Sequence, residues 1–598
     1  MTEGYELGAG TPQVLVVGAG PVGLTVAHEL ARRGVRVRLV DAADGPTPTS
    51  RAVATHARTL EIYDQMGVAD AMTERGRRMQ AFSMHRNGSQ LVRLGAEYRA
   101  TPTRFPFTLL LEQATTEEVL REAVADLGTD VEWGTRLDSL RQDGDVVEAV
   151  LRRKDGPAES VSTPWVVGCD GGHSTVRRLL KLPLIGDSTE TWLIADAEVD
   201  MEAPQDSIHW IHVDGGTVMA VPFATPGKWR LLDTTVQSDS GRPDQVARRF
   251  SRKLTKGLGT RAQVRIPSWV SVFTIQQRMI QKMRVGRCFV AGDAAHVHSP
   301  ASGQGLNTGI QEAFNLAWKL AMVIHGHAQY ALLDSYSAER VPIGRDLLET
   351  TRKATRLVAL KSALAAAAMP VVFAVVRRVP ALRRRIEGKV IGRMSALRIC
   401  YPDSPLTLPV TRQARRVAGP TPGERVTGFT AEGATDDPGW TAFVQELRDP
   451  RWTLLAFPDA SGTATEPATS WLREAAERYG SWLSVRIVSR HVQPEAALPD
   501  PYAALTDRLG IREHVPVHPE APSKTQTVPP GTQADGPLPD LYGTLADRLG
   551  IRKQGWLLIR PDAYLAARGD RLAADELSGA LAALPIATSG PLPLRDAT

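Results

Sequence analysis

A glycine-rich segment near the start of the chain has residue types suited to holding phosphate groups. Gly18, Gly20 and Gly23 have GxGxxG spacing and directly follow the apolar run Val14 to Val17. Gly18 suits a tight turn, Gly20 lets phosphates approach the backbone, and Gly23 lets the next helix pack close to a strand. Asp41 follows at the distance usual for a carboxylate that binds a ribose diol. These features predict a dinucleotide site without deciding between NAD and FAD. Contacts are expected from Gly18, Gly20, Pro21, Val22, Gly23 and Asp41.

A second glycine-rich segment, from Gly292 to Asn307, has the chemistry of a flavin site. Asp293 is placed to bind the hydroxyl groups of a sugar or ribitol chain. A helix N-terminus aimed at a flavin favours negative charge at the pyrimidine end of the ring, which a reduced or oxygenated flavin carries. The alternative is a glycine-rich turn capped by Asp293. The segment therefore favours FAD. Contacts are expected from Gly292, Asp293, Pro300, Gly303, Gly305, Leu306 and Asn307.

Both segments need strands that end where the glycines begin. Val14 to Val17 and Val35 to Val40 have the apolar, β-branched composition of buried strands, and a helix is predicted between them from Val22 to Arg33. Cys288 to Ala291 predicts a further strand. A long helix is expected from about Leu306 to Ala328.

The order of the motifs resembles that of the single-component, FAD-dependent aromatic hydroxylases, including the phenol hydroxylase and aromatic polyketide hydroxylase branches. The resemblance rests on GAGPVGL, SRA, LEQ, CDGGHSTVRR and GDAAH through GQGLNTGIQEAFNLAWKLA, and it spans residues 12 to about 350. Two positions depart from the usual pattern. His173 stands where a small residue is common, and Ser302 replaces a frequent glycine.

The resemblance implies further cofactor contacts. Arg51 matches the family arginine near the pyrophosphate, and Gln113 matches the glutamine that reaches the ribityl side of the flavin. Asp170 and Arg177 match a segment that serves both FAD and NADPH. NADPH or NADH is implied as a transient hydride donor.

The implied activity is hydroxylation of a phenolic or polyketide-like aromatic substrate with NAD(P)H and O₂. A flavin reduced by a nicotinamide reacts with dioxygen to give a flavin hydroperoxide, whose distal oxygen attacks an electron-rich ring. The sequence identifies no catalytic base, and Pro300, Gly305, Leu306 and Asn307 are candidates only as residues of the flavin loop. Alternatives are Baeyer–Villiger insertion or epoxidation, a halogenase, for which no WxWxIP segment is present, and a flavin-fold protein that sequesters a ligand.

The implied fold class is α/β, with a Rossmann-like FAD-binding domain, an inserted antiparallel β-sheet substrate domain and a C-terminal thioredoxin-like domain lacking CxxC. The expected bounds are 1–190 and 284–395 for the FAD-binding domain, with 86–105 assigned to it or to the substrate domain, 191–283 for the substrate domain, and 396–598 for the thioredoxin-like domain with a proline-rich linker at 513–537.

Short strands and turns alternate between residues 191 and 283, as in an antiparallel sheet. In the family such a sheet forms one wall of the substrate cavity. Trp192, Trp210, Phe223 and Trp229 are therefore candidates to contact a flat aromatic substrate, and the alternative for each is a place in the core.

The C-terminal part contains an internal duplication. LPDPYAALTDRLGIR from Leu498 and LPDLYGTLADRLGIR from Leu538 agree at 11 of 15 positions. The second copy alone leads into a strand, turn and strand, so it is expected to be the structural one. Other strands are predicted at Trp452 to Phe457, Leu483 to Val488 and Gly555 to Ile559. Without CxxC, a structural or dimer-contact role is expected, in a monomer or homodimer.

Composition excludes several other classes. The 598 residues are 42% hydrophobic, and 71 Lys and Arg against 66 Asp and Glu leave a net charge of +5, too small to indicate a nucleic-acid binder. Three cysteines without CxxC spacing predict reduced thiols in the cytoplasm. No signal peptide is apparent.

One apolar stretch, Ser362 to Val376, is followed by Arg377 and Arg378. It contains Pro370 and is shorter than the roughly 20 residues of a spanning helix. A buried or packing helix is therefore expected, with reversible membrane-surface association as the alternative. No metal site is expected, since the two histidines of the flavin loop lack a further ligand at the usual spacing.

Overall fold

The computed structural model describes most of the chain between residues 11 and 586. The described residues are 11–47, 52–95, 101–235, 242–298, 303–359, 363–409, 419–429, 437–458, 466–489, 538–540, 543–551 and 553–586. The α-helices are α1 Pro21–Ala31, α2 Ala57–Gln65, α3 Ala69–Arg75, α4 Gln113–Asp126, α5 Thr175–Leu179, α6 Pro243–Leu258, α7 Gly305–Ile324, α8 Asp334–Ala359, α9 Ala363–Arg378, α10 Pro380–Met394, α11 Pro438–Glu446, α12 Glu466–Tyr479, α13 Thr544–Arg548 and α14 Ala574–Ala582. The strands are β1 Val14–Val17, β2 Val37–Val40, β3 Ala54–Thr55, β4 Arg77–Met79, β5 Ala81–Arg86, β6 Ser89–Leu94, β7 Thr108–Leu110, β8 Val131–Glu132, β9 Thr135–Asp143, β10 Val146–Arg153, β11 Ala158–Thr163, β12 Trp165–Gly168, β13 Ile185–Met201, β14 Ser207–Val213, β15 Gly216–Pro222, β16 Lys228–Asp233, β17 Ala262–Val264, β18 Trp269–Met279, β19 Arg284–Val285, β20 Cys288–Val290, β21 His296–Val297, β22 Trp452–Phe457, β23 Leu483–Ser489, β24 Leu538–Pro539, β25 Gly555–Ile559 and β26 Leu565–Gly569.

A six-stranded sheet brings the three glycine-containing motifs to one edge. Its strand order is β19, β20, β12, β1, β2 and β8, and β20, β12, β1 and β2 run parallel. Strand β1 is buried along its whole length, as its composition predicts. Val17 pairs with Gly168, and Gly168 pairs with Val290, so the chain leaves three neighbouring strands at the same level. Ligands of open parallel sheets bind at this carboxyl edge.

Helices α1 and α7 confirm two of the predicted helices. The second ends at Ile324, four residues before the expected Ala328. Gly326 follows with a φ of +71°, in the left-handed region that glycine adopts readily at a helix end. The apolar pattern therefore continues beyond the residue at which the backbone stops being helical.

A nine-stranded sheet supplies the second large surface. Its strand order is β21, β18, β13, β16, β15, β14, β5 and β6, with β17 paired to β13. Strands β13, β14, β15, β16 and β18 pair with their neighbours in antiparallel orientation, which confirms the strands predicted between 191 and 283. Strand β5 comes from earlier in the chain and pairs in parallel with β14. One face, carrying Ile211 and Trp229, packs on α6. The other face carries Phe82 and Trp210.

A five-stranded mixed sheet forms the core of the C-terminal part. Its order is β24, β23, β22, β25 and β26. Strands β22 and β25 match their predicted bounds, and β23 ends one residue later than predicted. Strands β25 and β26 form the antiparallel hairpin predicted after the second repeat copy. The first copy and the linker 513–537 lie outside the described residues.

Buried charges join this C-terminal sheet to helices α7 and α8. Arg560, just after β25, donates to both carboxylate oxygens of Glu339 on α8, at 2.6 and 3.0 Å. Lys319 on α7 donates to the same carboxylate at 2.7 Å, and Arg560 also binds Asp562 at 2.6 Å. The side chains of Glu339, Lys319 and Arg560 are at most 1% exposed. The C-terminal part is thus tied to the rest of the protein through its interior.

The apolar stretch in the second half of the chain is helical but not buried as expected. Val371, Val372 and Val375 of α9 are 68%, 53% and 47% exposed, whereas Val376 is 1% exposed. Val376 packs inward, as expected of a packing helix, whereas full burial is wrong for the part of α9 from Val371 to Val376, because no described element covers its other side. Within the described ranges, no helix is long and apolar enough to cross a membrane.

Candidate active site

The three glycine-containing motifs meet around one cavity of about 360 Å³. The start of α1, the turn after β20 and the start of α7 all contribute to its wall, and Cys169 and Gly171 line it on either side of Asp170. Of the residues predicted to bind the cofactor, those that line the cavity are Gly20, Pro21, Val22, Gln113, Asp293, Gly303, Gly305 and Leu306. Arg51 and Pro300 lie outside the described residues, as does Ser302.

The cavity has room for a phosphate against the backbone. A Cβ atom built on Gly20 would meet nothing within 4 Å, whereas one on Gly23 would lie 1.8 Å from the carbonyl oxygen of Gly18. Gly20 therefore faces open space and Gly23 packs tightly, as their spacing predicts. Helices α1 and α7 begin at Pro21 and Gly305 without a side-chain cap, so first-turn N–H groups are left to bind negative charge. This combination of groups fits the pyrophosphate and reactive ring of FAD.

Two predicted cofactor carboxylates are engaged by the backbone in the structure. Asp41 accepts hydrogen bonds from the N–H groups of Ala19 at 2.7 Å and Ala43 at 2.8 Å. Asp170 accepts N–H groups at the start of α5 at 2.6 and 3.1 Å. Both side chains shape the turns around the cavity, and their contacts with FAD remain predictions.

Arg177 ties the middle motif to the third. Its guanidinium donates to the carbonyl oxygens of Ala294 at 3.1 Å and Gly172 at 2.9 Å, and the residue is 7% exposed. The family role of this arginine in binding NADPH remains a prediction.

Asn307 fixes the start of α7. Its side-chain oxygen accepts the N–H of His56 at 2.7 Å, and its nitrogen donates to the carbonyl oxygens of Ala54 at 2.9 Å and Gly303 at 2.7 Å. The sequence indicates a flavin-loop residue here but not these partners. The side chain holds the start of α7 against strand β3 and the residue that follows it.

A buried ion pair holds the loop that carries Asp293. His296 Nε2 lies 2.7 Å from one carboxylate oxygen of Glu312, and the other oxygen accepts the N–H of Gly292 at 2.9 Å. Burial alone would lower the pKa of His296, but the Glu312 carboxylate raises it above its ordinary value. Burial would raise the pKa of Glu312, and the histidine cation holds it below its ordinary value. In the described part of the chain, no group of three or more His, Cys, Asp or Glu side chains is placed to hold a metal ion.

Glu312→Gln is expected to lower the thermal midpoint of the holoenzyme in a pH-dependent way. A histidine whose pKa is raised on folding stabilises the protein fully below its unfolded pKa of about 6.5, and this contribution is lost as pH rises through the folded pKa. The difference in Tm between wild type and variant should therefore be larger at about pH 6 than at about pH 9. Glu118→Gln, at an exposed position, is the control. If the Tm difference between wild type and Glu312→Gln stays constant or grows as pH rises, His296 and Glu312 do not form a charged pair.

A larger cavity of about 700 Å³ adjoins the first. Phe82, Trp210 and Met394 line both cavities. The walls of the larger one come from the nine-stranded sheet, a polar face of α7, and helices α8 and α10. The sequence did not indicate α8 and α10 as cavity walls, since nothing in their composition distinguishes a cavity wall from a surface helix.

Trp210 is the one aromatic substrate candidate that lines these cavities. Trp192 is 1% exposed and packs edge-on against Phe273 at 6.3 Å between ring centroids. Phe223 and Trp229 are also 1% exposed, and Trp229 lies on the face covered by α6. These three line neither cavity, so the structure places them in the core. A substrate contact remains a prediction for Trp210.

Comparisons with known proteins agree with an FAD-binding fold. A family profile described as FAD binding domain matches residues 11–351. The 6-methylpretetramide 4-monooxygenase of Streptomyces rimosus is 48% identical over 574 residues, which cover 96% of this chain and 93% of that protein. The 12-dehydrotetracycline 5-monooxygenase/anhydrotetracycline 6-monooxygenase of Streptomyces rimosus subsp. rimosus is 35% identical, covering 57% of this chain and 68% of that protein. Among solved structures, an anhydrotetracycline hydroxylase from Streptomyces rimosus matches 96% of this chain and 99% of its own, with a TM-score of 0.66 and 25% identity.

Proposed function

This chain belongs to the FAD-binding family of single-component aromatic monooxygenases, and from that membership we propose that it hydroxylates a flat, polycyclic phenol of the polyketide type with NAD(P)H and O₂. The observation that carries the choice of substrate is the cavity of about 700 Å³ that adjoins the FAD site, since it has room for several fused rings. The relative that shares 48% identity is a 6-methylpretetramide 4-monooxygenase, which favours a substrate of the same polycyclic class.

The residues around the FAD site supply binding and electrostatic stabilisation. FAD, when bound, supplies the redox chemistry by taking a hydride from NAD(P)H and activating O₂. Gly20 and the start of α1 would hold its pyrophosphate, and Asp293 would bind its ribityl hydroxyl groups. The first turn of α7, from Gly305, directs partial positive charge into the cavity, which stabilises negative charge that develops there.

The surrounding walls position the substrate and exclude water. Phe82, Met84, Leu94 and Trp210 give the sheet side of the larger cavity an aromatic and aliphatic surface. A flat ring packed on this surface lies next to the FAD site, because Phe82 and Trp210 belong to both cavities. Such a surface keeps water away from the reacting atoms.

The division into domains follows from the same proposal. The nine-stranded sheet would be a substrate-binding domain inserted into an FAD-binding domain at 1–190 and 284–395. The C-terminal part, 396–598, would be thioredoxin-like, which is supported by the parallel pair β22–β23 beside the antiparallel pair β25–β26. This part has no CxxC and one cysteine, Cys400, so its role would be structural or in dimer contact.

Oxygen labelling tests the proposed function. The holoenzyme is incubated with NADPH or NADH and a panel of phenols and hydroxylated polycyclic quinones under labelled dioxygen. We expect substrate-dependent NAD(P)H oxidation and a product that carries one labelled oxygen on an intact aromatic ring. A lactone or an epoxide with one labelled oxygen would mean that the enzyme catalyses Baeyer–Villiger insertion or epoxidation instead of hydroxylation. A protein that holds FAD but oxidises no NAD(P)H with any aromatic compound would contradict the proposal.

A further inference from the structure

The cavity beside the FAD site contains two buried polar side chains with unused hydrogen-bonding capacity. Gln311 lies on α7, one turn after Asn307, lines the cavity and is 6% exposed. Among the residues that the structure describes, its side-chain amide has no hydrogen-bond partner. His212 on β14 lines the same cavity and is 7% exposed, and its Nδ1 atom also lacks a partner there. Buried polar groups are ordinarily hydrogen-bonded, so these two require an explanation.

Two other polar side chains of the same cavity wall, Asn307 and Thr351, are already bonded. The Asn307 amide bonds three backbone groups, as described above. Thr351 on α8 donates its hydroxyl proton to the carbonyl oxygen of Leu347 at 2.7 Å. These bonds set Gln311 and His212 apart from Asn307 and Thr351, whose polarity serves the fold.

The two groups border an apolar part of the cavity wall. Phe82, Met84 and Trp210 on the sheet offer a surface for the face of an aromatic ring system, and Gln311 approaches from α7. Burial lowers the pKa of His212, and the charge of nearby Arg86 lowers it further, so the imidazole is uncharged near neutral pH. A neutral imidazole has one N–H donor and one acceptor nitrogen.

We propose that Gln311 and His212 bind the oxygen substituents along one edge of the polycyclic substrate, with the Gln311 amide paired to a phenolic hydroxyl and its neighbouring carbonyl. A primary amide carries an acceptor oxygen and donor hydrogens, and so complements the donor and acceptor of a hydroxyketone edge. Sites built around such hydrogen bonds reject analogues that lack the matching group. This inference rests on the proposed function and adds to it that the site selects rings with adjacent hydroxyl and carbonyl groups.

Ligand binding to the oxidised holoenzyme, without NAD(P)H, tests this role. The probes are danthron, whose hydroxyl groups flank a carbonyl, and anthraquinone, which has no hydroxyl group, and binding is followed by the change in flavin absorbance. Wild type is expected to bind danthron at least about tenfold more tightly than anthraquinone. Gln311→Met keeps the side-chain length and removes both hydrogen-bonding atoms, so the ratio of the two affinities should fall about fivefold. His212→Phe should lower the same ratio, and it serves as an independent variant if Gln311→Met does not retain FAD.

Met84→Leu is the matched control, because it changes the same cavity wall without removing a hydrogen bond of this kind. It should leave the affinity ratio unchanged. The proposal is overturned if wild type binds danthron and anthraquinone equally, or binds neither, or if the ratio is unchanged in both Gln311→Met and His212→Phe. Since no turnover is needed, selective binding without oxygen incorporation would refute the proposed function and leave this inference standing.

Discussion

Gly20→Val is expected to give a folded protein that no longer retains FAD. Gly20 has a φ of −72° and a ψ of −178°, a backbone conformation open to any residue. A Cβ atom there meets nothing within 4 Å, so the valine side chain enters the cavity rather than the core. Because the phosphates of FAD must approach this backbone closely, affinity should fall at least about 100-fold, or ~2.7 kcal/mol.

Three measurements separate this effect from misfolding. FAD retention through gel filtration and titration of the apoprotein with FAD report binding, and circular dichroism reports the fold. Gly579→Val, in helix α14, is the matched control, since a Cβ atom at Gly579 also meets nothing within 4 Å and the residue does not line the FAD cavity. The control should retain FAD normally. A Gly20→Val protein with wild-type FAD affinity would place the phosphate site elsewhere.

Glu339→Gln is expected to destabilise the folded protein by about 3–5 kcal/mol, the usual cost of leaving a buried charge without its partner. Glu339 compensates two buried cations, Lys319 and Arg560. Burial lowers the pKa of Lys319 to about 8 even though Glu339 raises it, so without this carboxylate the ammonium group would lose its charge near neutral pH. Arg560 would retain Asp562 as its only other anionic partner among those hydrogen bonds that the structure describes.

Urea unfolding at a fixed FAD concentration measures this loss. Glu148→Gln is the control, because Glu148 pairs with Arg141 at 2.9 Å where the two side chains are 44% and 65% exposed. Exposed pairs contribute less than about 1 kcal/mol. Equal destabilisation by the two substitutions would mean that the Glu339 contacts add no more than a surface pair does.

The FAD site was predictable because each part of it is local in sequence. A strand and a glycine turn lie within a few residues of one another both at Gly20 and at Asp293 and Gly305, so each part was predicted from spacing. The resemblance to the aromatic hydroxylases implied that the two parts serve one cofactor, and all three residues line one cavity. The substrate-contacting aromatic residues could not be predicted in the same way. Successive residues of a strand alternate between the two faces of a sheet, and the sequence does not say which face α6 covers. Trp229 lies on the covered face and Trp210 on the open one.

Contacts between distant segments had no local signal. In the sequence, Gln311 is one of several polar residues on a mostly apolar helix. The structure was needed to show that its amide lines the cavity without a described partner. The apolar stretch of α9 illustrates the reverse problem. Its composition favoured burial, but burial depends on whether a neighbouring element covers each side, and Val371 is 68% exposed.

The buried contact between Glu339 and Arg560 also bears on the order in which the protein completes its fold. The two residues are 221 positions apart in the chain. At ordinary rates of synthesis, roughly 10–40 s pass on the ribosome between making the carboxylate and making its guanidinium partner. Helix α7, which lines both cavities, and helix α8, which lines the larger one, therefore reach their final electrostatic state only when translation is nearly finished. A prematurely terminated chain carries the nucleotide motifs but leaves Glu339 with Lys319 as its only cationic partner among those that the structure describes.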